Sequence, residues 1–387
     1  MAAEKTVRLS EKKTRRINRK RLVGLIVVLL LIIAVIFLAV RFLSRRSFKT
    51  AELIDDVEQS GGSGVSYEHF GTRILRYSQN GAALLTKEGK ELWNLGYTYA
   101  APRAKLQGSY GMIADIGGTG ACLFGSDGIT GSIITNMPIL GMAVSGKGTA
   151  VLALEDGSRS LLQFYDMTGK ALDISVSLEM AISGFPMDIA LSPDGSGLVV
   201  SAGAYLSGGL ATQLVFYNFA VGKGEANRLV GYFTYEDVLF PEICYMGASS
   251  VIAVGDDRLV FFDMSTENRP VVAQEQLFDT ELTAVDVGSS YTSVARSREN
   301  GSGLVLEVYA KSGEKAFEAD LGEMPLYLEE SENYVLMTTA SGIKIWDYSG
   351  RLRFEGTLAQ EAQTVFAMGK RDLIQPSGGH LYRYRLK

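Results

Sequence analysis

The chain has 387 residues, of which 47% are apolar, with 43 Gly, 8 Pro and 2 Cys. This composition is sufficient for a large buried core, and the many glycines suit a fold with many tight turns. Cys122 and Cys244 lack CxxC spacing and lie in separate strand-like runs, which argues against a disulfide framework or a zinc site and predicts buried free thiols.

The formal net charge of −5 hides an asymmetry along the chain. Residues 1–49 contain 13 Lys and Arg against 2 acidic residues, whereas the remaining 338 residues carry a charge of −16. A basic arm beside an apolar run indicates contact with a membrane rather than with nucleic acid. The acidic remainder argues against a nucleic-acid partner, because neutralising phosphates requires clustered Lys and Arg.

Residues 22–40 form an apolar run of 19 residues, which is long enough to cross about 30 Å of hydrocarbon as a helix. The run ends in basic residues without a small-x-small cleavage site, so we predict an uncleaved signal anchor. Nine Lys and Arg lie between Lys5 and Arg21, against four between Arg41 and Lys49. This bias predicts a single-pass plasma-membrane protein with a cytoplasmic tail at residues 1–21 and an extracytoplasmic C-terminal domain.

Residues 41–70 are assigned to a juxtamembrane segment and a Gly/Ser linker. Leu53, Ile54 and Val57 have helix-compatible spacing, which makes a short helix over residues 51–58 possible. The Gly/Ser tract at residues 60–64 predicts a flexible tether between the anchor and the domain.

Residues 71–387 contain a repeat in which an apolar or aromatic anchor is followed four positions later by a turn residue. Clear copies are Leu85/Gly89, Phe124/Gly128, Tyr165/Gly169, Tyr309/Gly313 and Trp346/Gly350. A period of roughly 40 to 45 residues with four short strands is typical of a β-propeller blade. We predict an all-β propeller with eight four-stranded blades, or alternatively seven.

The last repeat ends near Tyr384, with no sequence left for its outermost strand. Because an open strand edge has to be covered, we predict that residues 65–70 pair with the last blade and close the ring.

The fourth repeat, residues 186–233, is about ten residues longer than its neighbours, and we expect the extra length in two loops, residues 203–209 and 221–226. Aromatic side chains give a large contact area at a small entropy cost. The candidate interaction surface therefore consists of two residues of the first loop and three at nearby strand ends, namely Tyr205, Leu206, Phe185, Tyr232 and Tyr235. Alternatively, Tyr205 and Leu206 fold back as a lid over their own blade.

Three carboxylates look like a set, but each follows the aromatic anchor of its repeat, where Asp accepts hydrogen bonds from the backbone of a turn. These residues are Asp166, Asp263 and Asp347. We therefore interpret them as structural.

The chain has two histidines, His69 in the predicted linker and His380 in a terminal loop. A three-His metal site is excluded, and a Ser-His-Asp triad would depend on a peripheral residue. The acidic runs at residues 256–257 and 329–332 are expected in solvated turns. We assign no catalytic residue, metal or cofactor, although paired glycosidase carboxylates stay open because their separation is not visible in sequence.

The block from Gly184 to Gly195 and the segment from Val215 to Phe219, behind a basic arm and one anchor, resemble a family of unknown function. This is the domain of unknown function 5711 family of membrane-anchored propeller proteins from clostridial and related Gram-positive bacteria. The resemblance implies a propeller and no activity. The Gly-x-x-Leu-Trp pattern ending at Trp93 is loosely similar to quinoprotein-like propellers. Their repeated Trp is missing here, so the resemblance does not imply a quinone cofactor.

These observations predict a membrane-tethered extracytoplasmic scaffold whose loops bind an envelope protein or a cell-wall component. The alternative is an envelope hydrolase acting on carbohydrate or peptide. The scarcity of His and of metal motifs favours the scaffold.

Overall fold

The computed structural model describes residues 28–33, 47–59, 64–206, 208–220, 228–265, 269–299, 301–361 and 363–387. The chain divides into two compact units, Met1–Ser47 and Phe48–Lys387. Residues 28–33 are helical. Most of the predicted anchor at residues 22–40, and all of the predicted tail at residues 1–21, lie outside the described residues.

None of the helices in the described ranges is both long enough and apolar enough to cross a membrane.

The described part of the second unit forms 32 strands in eight four-stranded antiparallel sheets, which confirms the prediction of an all-β propeller with eight blades. The first strand along the chain, β1 (Ala51–Glu58), belongs to the last blade. One short helix, Met180–Ser183, lies between the third and fourth blades.

The first four blades follow one another along the chain. Blade 1 contains β2 (Ser66–Phe70), β3 (Arg73–Ser78), β4 (Gly81–Thr86) and β5 (Glu91–Gly96). Blade 2 contains β6 (Pro102–Gln107), β7 (Tyr110–Asp115), β8 (Gly120–Gly125) and β9 (Gly128–Ile134). Blade 3 contains β10 (Ile139–Val144), β11 (Thr149–Asp156), β12 (Arg159–Asp166) and β13 (Ala171–Glu179). Blade 4 contains β14 (Phe185–Leu191), β15 (Gly197–Leu206), β16 (Gly209–Asn218) and β17 (Leu229–Glu236).

The remaining blades complete the ring. Blade 5 contains β18 (Glu242–Tyr245), β19 (Ser250–Val254), β20 (Arg258–Asp263) and β21 (Val271–Leu277). Blade 6 contains β22 (Leu282–Val287), β23 (Tyr291–Ser297), β24 (Leu304–Ala310) and β25 (Lys315–Leu321). Blade 7 contains β26 (Tyr327–Glu330), β27 (Val335–Thr339), β28 (Gly342–Trp346) and β29 (Leu352–Gly356). Blade 8 contains β30 (Phe366–Met368), β31 (Asp372–Ser377), β32 (His380–Leu386) and β1.

The connections of each blade alternate between two faces of the ring, because each blade is an antiparallel meander. The first strands of neighbouring blades contact one another, as β10 contacts β14 and β22 contacts β26, so the first strand is innermost. The connections from first to second and from third to fourth strand lie on one face, which we call the turn face. The connections from second to third strand, and those between blades, lie on the opposite face, which we call the hairpin face.

The core lies between neighbouring blades, because the middle strands of each blade are buried on both sides. In β15, Leu198 and Val200 pack towards blade 3, whereas Val199 packs towards blade 5. Successive side chains of a strand point to opposite faces of its sheet, so one strand contributes to two inter-blade cores. The described middle strands therefore carry apolar residues on both faces.

The ring is closed by β1, which pairs antiparallel with β32 from Ala51 opposite Leu386 to Glu58 opposite His380. The possible helix over residues 51–58 was therefore wrong. A β-bulge between Leu53 and Asp55 shifts the alternation, so the less exposed residues fall three apart, which imitates a helical period.

The segment predicted to close the ring has a different position. Ser66–Phe70 is the innermost strand of blade 1 and pairs with Arg73–Ser78, so the predicted pairing of residues 65–70 with the last blade was wrong. The Gly/Ser tract at residues 60–64 connects β1 to β2, two strands of the ring, rather than the anchor to the domain. Strands of the propeller thus begin within residues 41–70.

The chain enters the propeller unit on the turn face, where β1 begins. The backbone N–H of Phe48 donates to the carbonyl of Arg353 at 2.7 Å. The Phe48 ring packs edge-on against Tyr334, with ring centroids 6.4 Å apart. The chain is therefore fixed to blade 7 immediately before it forms the last strand of blade 8.

Candidate functional site

The hairpin between β15 and β16 is the longest in the ring, with ten residues in each strand. Its ladder continues to the pair Leu206 and Gly209. The expectation that the extra length would form a loop over residues 203–209 was wrong, because residues 203–206 continue β15 and pair with residues 209–212 of β16. The second predicted loop, residues 221–226, lies outside the described residues.

Three of the predicted residues lie at the hairpin face of blade 4. Tyr205 is 73% exposed, and its hydroxyl donates to the carbonyl of Gly208 at 2.7 Å, so the far end of the side chain is held at the hairpin tip while the ring faces solvent. Phe185, which is 41% exposed, pairs with Gly203 at the start of the innermost strand. Leu206 is half-buried at the tip of the hairpin.

The other two predicted residues lie on opposite sides of β17. Tyr235 packs edge-on against Phe240, with centroids 5.1 Å apart, and burial raises its pKa to about 12. Tyr232 instead borders a cleft of about 550 Å³ between blades 3 and 4, with Tyr217 and Arg228. The five predicted residues are therefore divided among the hairpin face, an inter-blade core and an outer cleft.

Two further exposed apolar residues lie at the hairpin face, and neither was predicted from the sequence. Ile182, in the short helix, is 70% exposed, and Leu210, opposite Tyr205, is 56% exposed. The helix is held against the blade by a hydrogen bond from Gln213 Nε2 to the Ile182 carbonyl at 3.1 Å. Gly184 follows with φ +79, and a Cβ there would collide with the backbone of Gly203. This glycine is a signal that the chain approaches blade 4 closely.

We call the exposed apolar surface formed by these side chains the blade 4 rim. It consists of Phe185, Tyr205 and Leu210, which share one face of the blade 4 sheet, whereas the helix that carries Ile182 lies against the other face. Contiguous exposed apolar side chains on a folded protein mark an interaction site, because isolated ones are common and clusters are not.

A second concave site lies on the turn face at the axis of the ring. This axial cavity has a volume of about 620 Å³ and is lined by turns of blades 1, 2, 6, 7 and 8. Glu330 lies in it, with one carboxylate oxygen accepting from Ser293 and the other from Tyr348. Burial raises the pKa of Glu330 to about 7. Because both oxygens have partners, Glu330 links blades 6 and 7 rather than presenting a free acid.

Carboxylates of the innermost strands also join neighbouring blades. Asp188 in blade 4 accepts from the backbone N–H of Ile243 in blade 5 at 3.0 Å. Asp286 in blade 6 accepts from the N–H of Glu330 in blade 7 at 2.6 Å. Burial raises the pKa of Asp286 to about 8. Innermost strands of adjacent blades belong to different sheets, and these carboxylates provide hydrogen bonds between them.

Glu329 makes the most extensive link of this kind. One oxygen accepts from the N–H of Ala367 in blade 8 at 2.8 Å, and the other lies 3.0 Å from Nδ1 of His69 in blade 1. Burial alone would lower the pKa of His69, but the hydrogen bond and charge of Glu329 raise it. The predictions of a linker position for His69 and of a solvated turn for Glu329 and Glu330 were wrong, because all three belong to innermost strands.

The Asp residues after the aromatic anchors have the predicted structural role. Asp166 accepts from the N–H groups of Thr168 and Lys170 at 2.8 and 3.2 Å. Asp347 accepts from those of Ser349 and Arg351 at 3.0 and 3.2 Å. Asp263 accepts from Ser265 in the same way.

The metal-binding residue types do not converge. In the part of the chain that the structure describes, no group of three or more His, Cys, Asp and Glu side chains is placed to hold a metal ion. Cys122 is a buried free thiol and Cys244 a half-buried one, which confirms that they form no disulfide.

Solved structures with a similar fold are propellers of diverse origin. Apo AztD from Citrobacter koseri is 14% identical, with 77% of this chain and 86% of that chain covered and a TM-score of 0.54. Sqt1 from Saccharomyces cerevisiae is 10% identical, with 88% and 99% covered and a TM-score of 0.53. BamB from Moraxella catarrhalis is 12% identical, with 87% and 100% covered and a TM-score of 0.50. At these identities the likeness shows the fold alone.

The sequence comparisons identify a family without an activity. No curated protein matches the chain. The model of DUF5711, a family of unknown function, matches residues 44–380, which include nearly the whole propeller. The chain therefore belongs to the DUF5711 family of unknown function.

Proposed function

We propose that this protein is a membrane-tethered extracytoplasmic scaffold that binds an envelope protein through the blade 4 rim. The observation that supports this function is that three exposed apolar side chains, Phe185, Tyr205 and Leu210, share one face at the hairpin end of blade 4. A contiguous apolar patch costs free energy in water unless a partner covers it.

The rim is suited to recognition because its backbone is ordered before any partner arrives. The hairpin is hydrogen-bonded to its tip, and Asp237 N–H donates to the carbonyl of Leu210 at 2.9 Å. A preorganised surface loses little conformational entropy on binding. The rim also lies on the face opposite the point where the chain enters the propeller at Phe48, which leaves it accessible.

The membrane tether is proposed from the sequence. The apolar run at residues 22–40, behind a strongly basic arm, has the length and flanking charge of a signal anchor. Seven residues, 41–47, separate this run from the start of the propeller unit at Phe48. We propose that the anchor holds the propeller outside the plasma membrane, close to envelope partners.

Crosslinking in intact cells tests the scaffold function. We expect the double variant Tyr205→Ser/Leu210→Ser to lose its crosslinked partners while its melting temperature is unchanged, because both side chains face solvent. The matched control is Val271→Ser/Leu277→Ser on β21, where the side chains are 54% and 59% exposed. The control should keep the partners.

Two outcomes would overturn recognition by the rim. One is that the rim variant keeps all its crosslinks. The other is a lower melting temperature with crosslinks retained, which would show that the rim stabilises its own blade. A crosslinked wall fragment in place of a protein would keep the rim as the site and change the partner class.

Protease treatment of intact, wall-stripped cells tests the orientation. We expect cleavage after residue 60 without lysis, because the proposed anchor places the propeller outside. Protection of the propeller in intact cells, together with cleavage after lysis, would reject the extracytoplasmic placement.

A further inference from the structure

Charge is distributed unequally between the two faces of the ring. Among the described connections between strands, those on the turn face contain ten Lys and Arg against six Asp and Glu. Those on the hairpin face contain one basic residue, Arg298, against eight acidic ones. The eight are Asp237, Asp256, Asp257, Asp279, Glu281, Glu299, Glu323 and Glu361.

Five of these carboxylates are exposed and follow one another around the hairpin face of blades 4 to 6. We call them the acidic arc, which consists of Asp237, Asp256, Asp279, Glu281 and Glu299. Among the described residues, none of the five forms an ion pair with Lys, Arg or His. Three arginines near the arc are occupied by other carboxylates, Arg258 by Asp257 at 2.7 Å, Arg296 by Glu307 at 2.9 Å and Arg298 by Asp320 at 2.5 Å.

The arc is continuous with the blade 4 rim. Asp237 is bonded through its backbone to Leu210 of the rim, at 2.9 Å. The Phe240 ring lies against Gly255, which precedes Asp256. The N–H of Phe278 donates to the carbonyl of Asp257 at 2.8 Å, which brings the loop of Asp279 next to that turn.

The end of the arc brings two carboxylates together. A hydrogen bond with Asp279, and the charge of that residue, raise the pKa of Glu299. Two neighbouring carboxylates repel each other when both are ionised, and a cation placed between Asp279 and Glu299 would relieve this repulsion.

We propose that the partner bound by the scaffold presents a cationic polypeptide segment, with Lys or Arg on the acidic arc and an aromatic or large aliphatic side chain on the blade 4 rim. This deepens the proposed function, since it names the chemistry of the partner. Unneutralised carboxylates around an apolar patch attract cations, disfavour acidic partners and fix the orientation of the bound segment.

The test uses the purified full-length protein in detergent and a labelled peptide that alternates Lys with Phe and Leu. We expect this peptide to bind, and its affinity to fall by about tenfold in the quadruple variant Asp256→Asn/Asp279→Asn/Glu281→Gln/Glu299→Gln. The matched control, Glu88→Gln/Asp127→Asn/Asp194→Asn/Glu314→Gln, removes four carboxylates from the turn face and should leave the affinity unchanged. A peptide with Glu in place of Lys should not bind.

Equal binding of the Lys and Glu peptides, or unchanged affinity in the arc variant, would overturn the cationic partner. A failure of this inference can be distinguished from a failure of the proposed function. If cellular crosslinks are lost in the rim variant but kept in the arc variant, the scaffold stands and the charge of the segment is wrong. If neither variant loses crosslinks, both are wrong.

Discussion

Acidic side chains occupy two regions of this propeller in opposite ways. Around the axis, Asp188, Asp286 and Glu329 accept hydrogen bonds from the backbone of the next blade. On the hairpin face, the acidic arc is exposed and forms no ion pair among the described residues. A carboxylate enclosed between blades takes part in the hydrogen-bond network of the backbone. An exposed carboxylate of the acidic arc instead contributes to the electrostatic potential at the protein surface. For Asp and Glu in this propeller, the position in the blade decides whether the side chain bonds to a neighbouring blade or stays exposed to solvent.

We expect the largest loss of stability when the carboxylate that joins three blades, Glu329, is removed. Glu329→Ala removes the acceptor of the Ala367 N–H and the partner of His69, so we expect a loss of about 3 to 5 kcal/mol in the free energy of unfolding. Denaturant unfolding followed by tryptophan fluorescence measures it. Glu329→Gln, which keeps an acceptor oxygen, should lose less. A loss below about 1 kcal/mol in the Ala variant would show that the axis does not depend on this link.

The second-largest effect is expected from a change of pH, which should alter the stability contributed by the buried axial carboxyl groups. Asp286 and Glu330 have folded pKa values of about 8 and about 7, above those of an unfolded chain, so the folded state holds more protons between about pH 5 and pH 8. Stability from these groups is present at low pH and is lost as pH rises through the folded pKa values. His69, whose pKa is also raised, acts in the same direction.

We therefore expect the melting temperature to rise as pH is lowered from 8 to 5.5. The variant Asp286→Asn, which cannot ionise, should flatten this dependence. A melting temperature that falls over the same range would contradict the assignment of protonated carboxyl groups to the axis.

The smallest effect is expected on the hairpin face. Glu299→Gln removes one member of a like-charged pair at an exposed position, so we expect only a small rise in the melting temperature. Calorimetry at low ionic strength measures it, with Glu314→Gln on the turn face as control. A clear destabilisation would mean that the arc is part of the fold.

The repeat was predictable because turns follow local chemistry. Gly169, Gly313 and Gly350 adopt φ values of +86, +86 and +77, which only glycine adopts readily, so their spacing revealed the blades. The closing strand was not predictable in the same way, since the bulge at Leu53 removes its alternation. The positions of Glu329 and Glu330 could not be predicted either, because a run of acidic residues in a sequence is typical of an exposed loop. Hydrogen bonds from neighbouring blades, which the sequence does not show, hold these side chains inside.

The candidate surface was predictable in part for similar reasons. The length of the fourth repeat drew attention to Tyr205 and Phe185, and both side chains are exposed at one end of blade 4. Whether a residue of β17 points to a core or to solvent depends on register, so Tyr232 and Tyr235 could not be separated. The acidic arc was invisible because its members are spread over loops of three blades and meet only when the ring forms.

The pairing of β1 with β32 joins the beginning of the propeller to its end. During synthesis Ala51 leaves the ribosome long before its partner Leu386, so the edge of β1 stays uncovered until β32 has been made. Contacts of such long sequence separation form late and slowly. The ring is thus completed by hydrogen bonds between two strands that are far apart in sequence, and a chain truncated before β32 could not form this pairing.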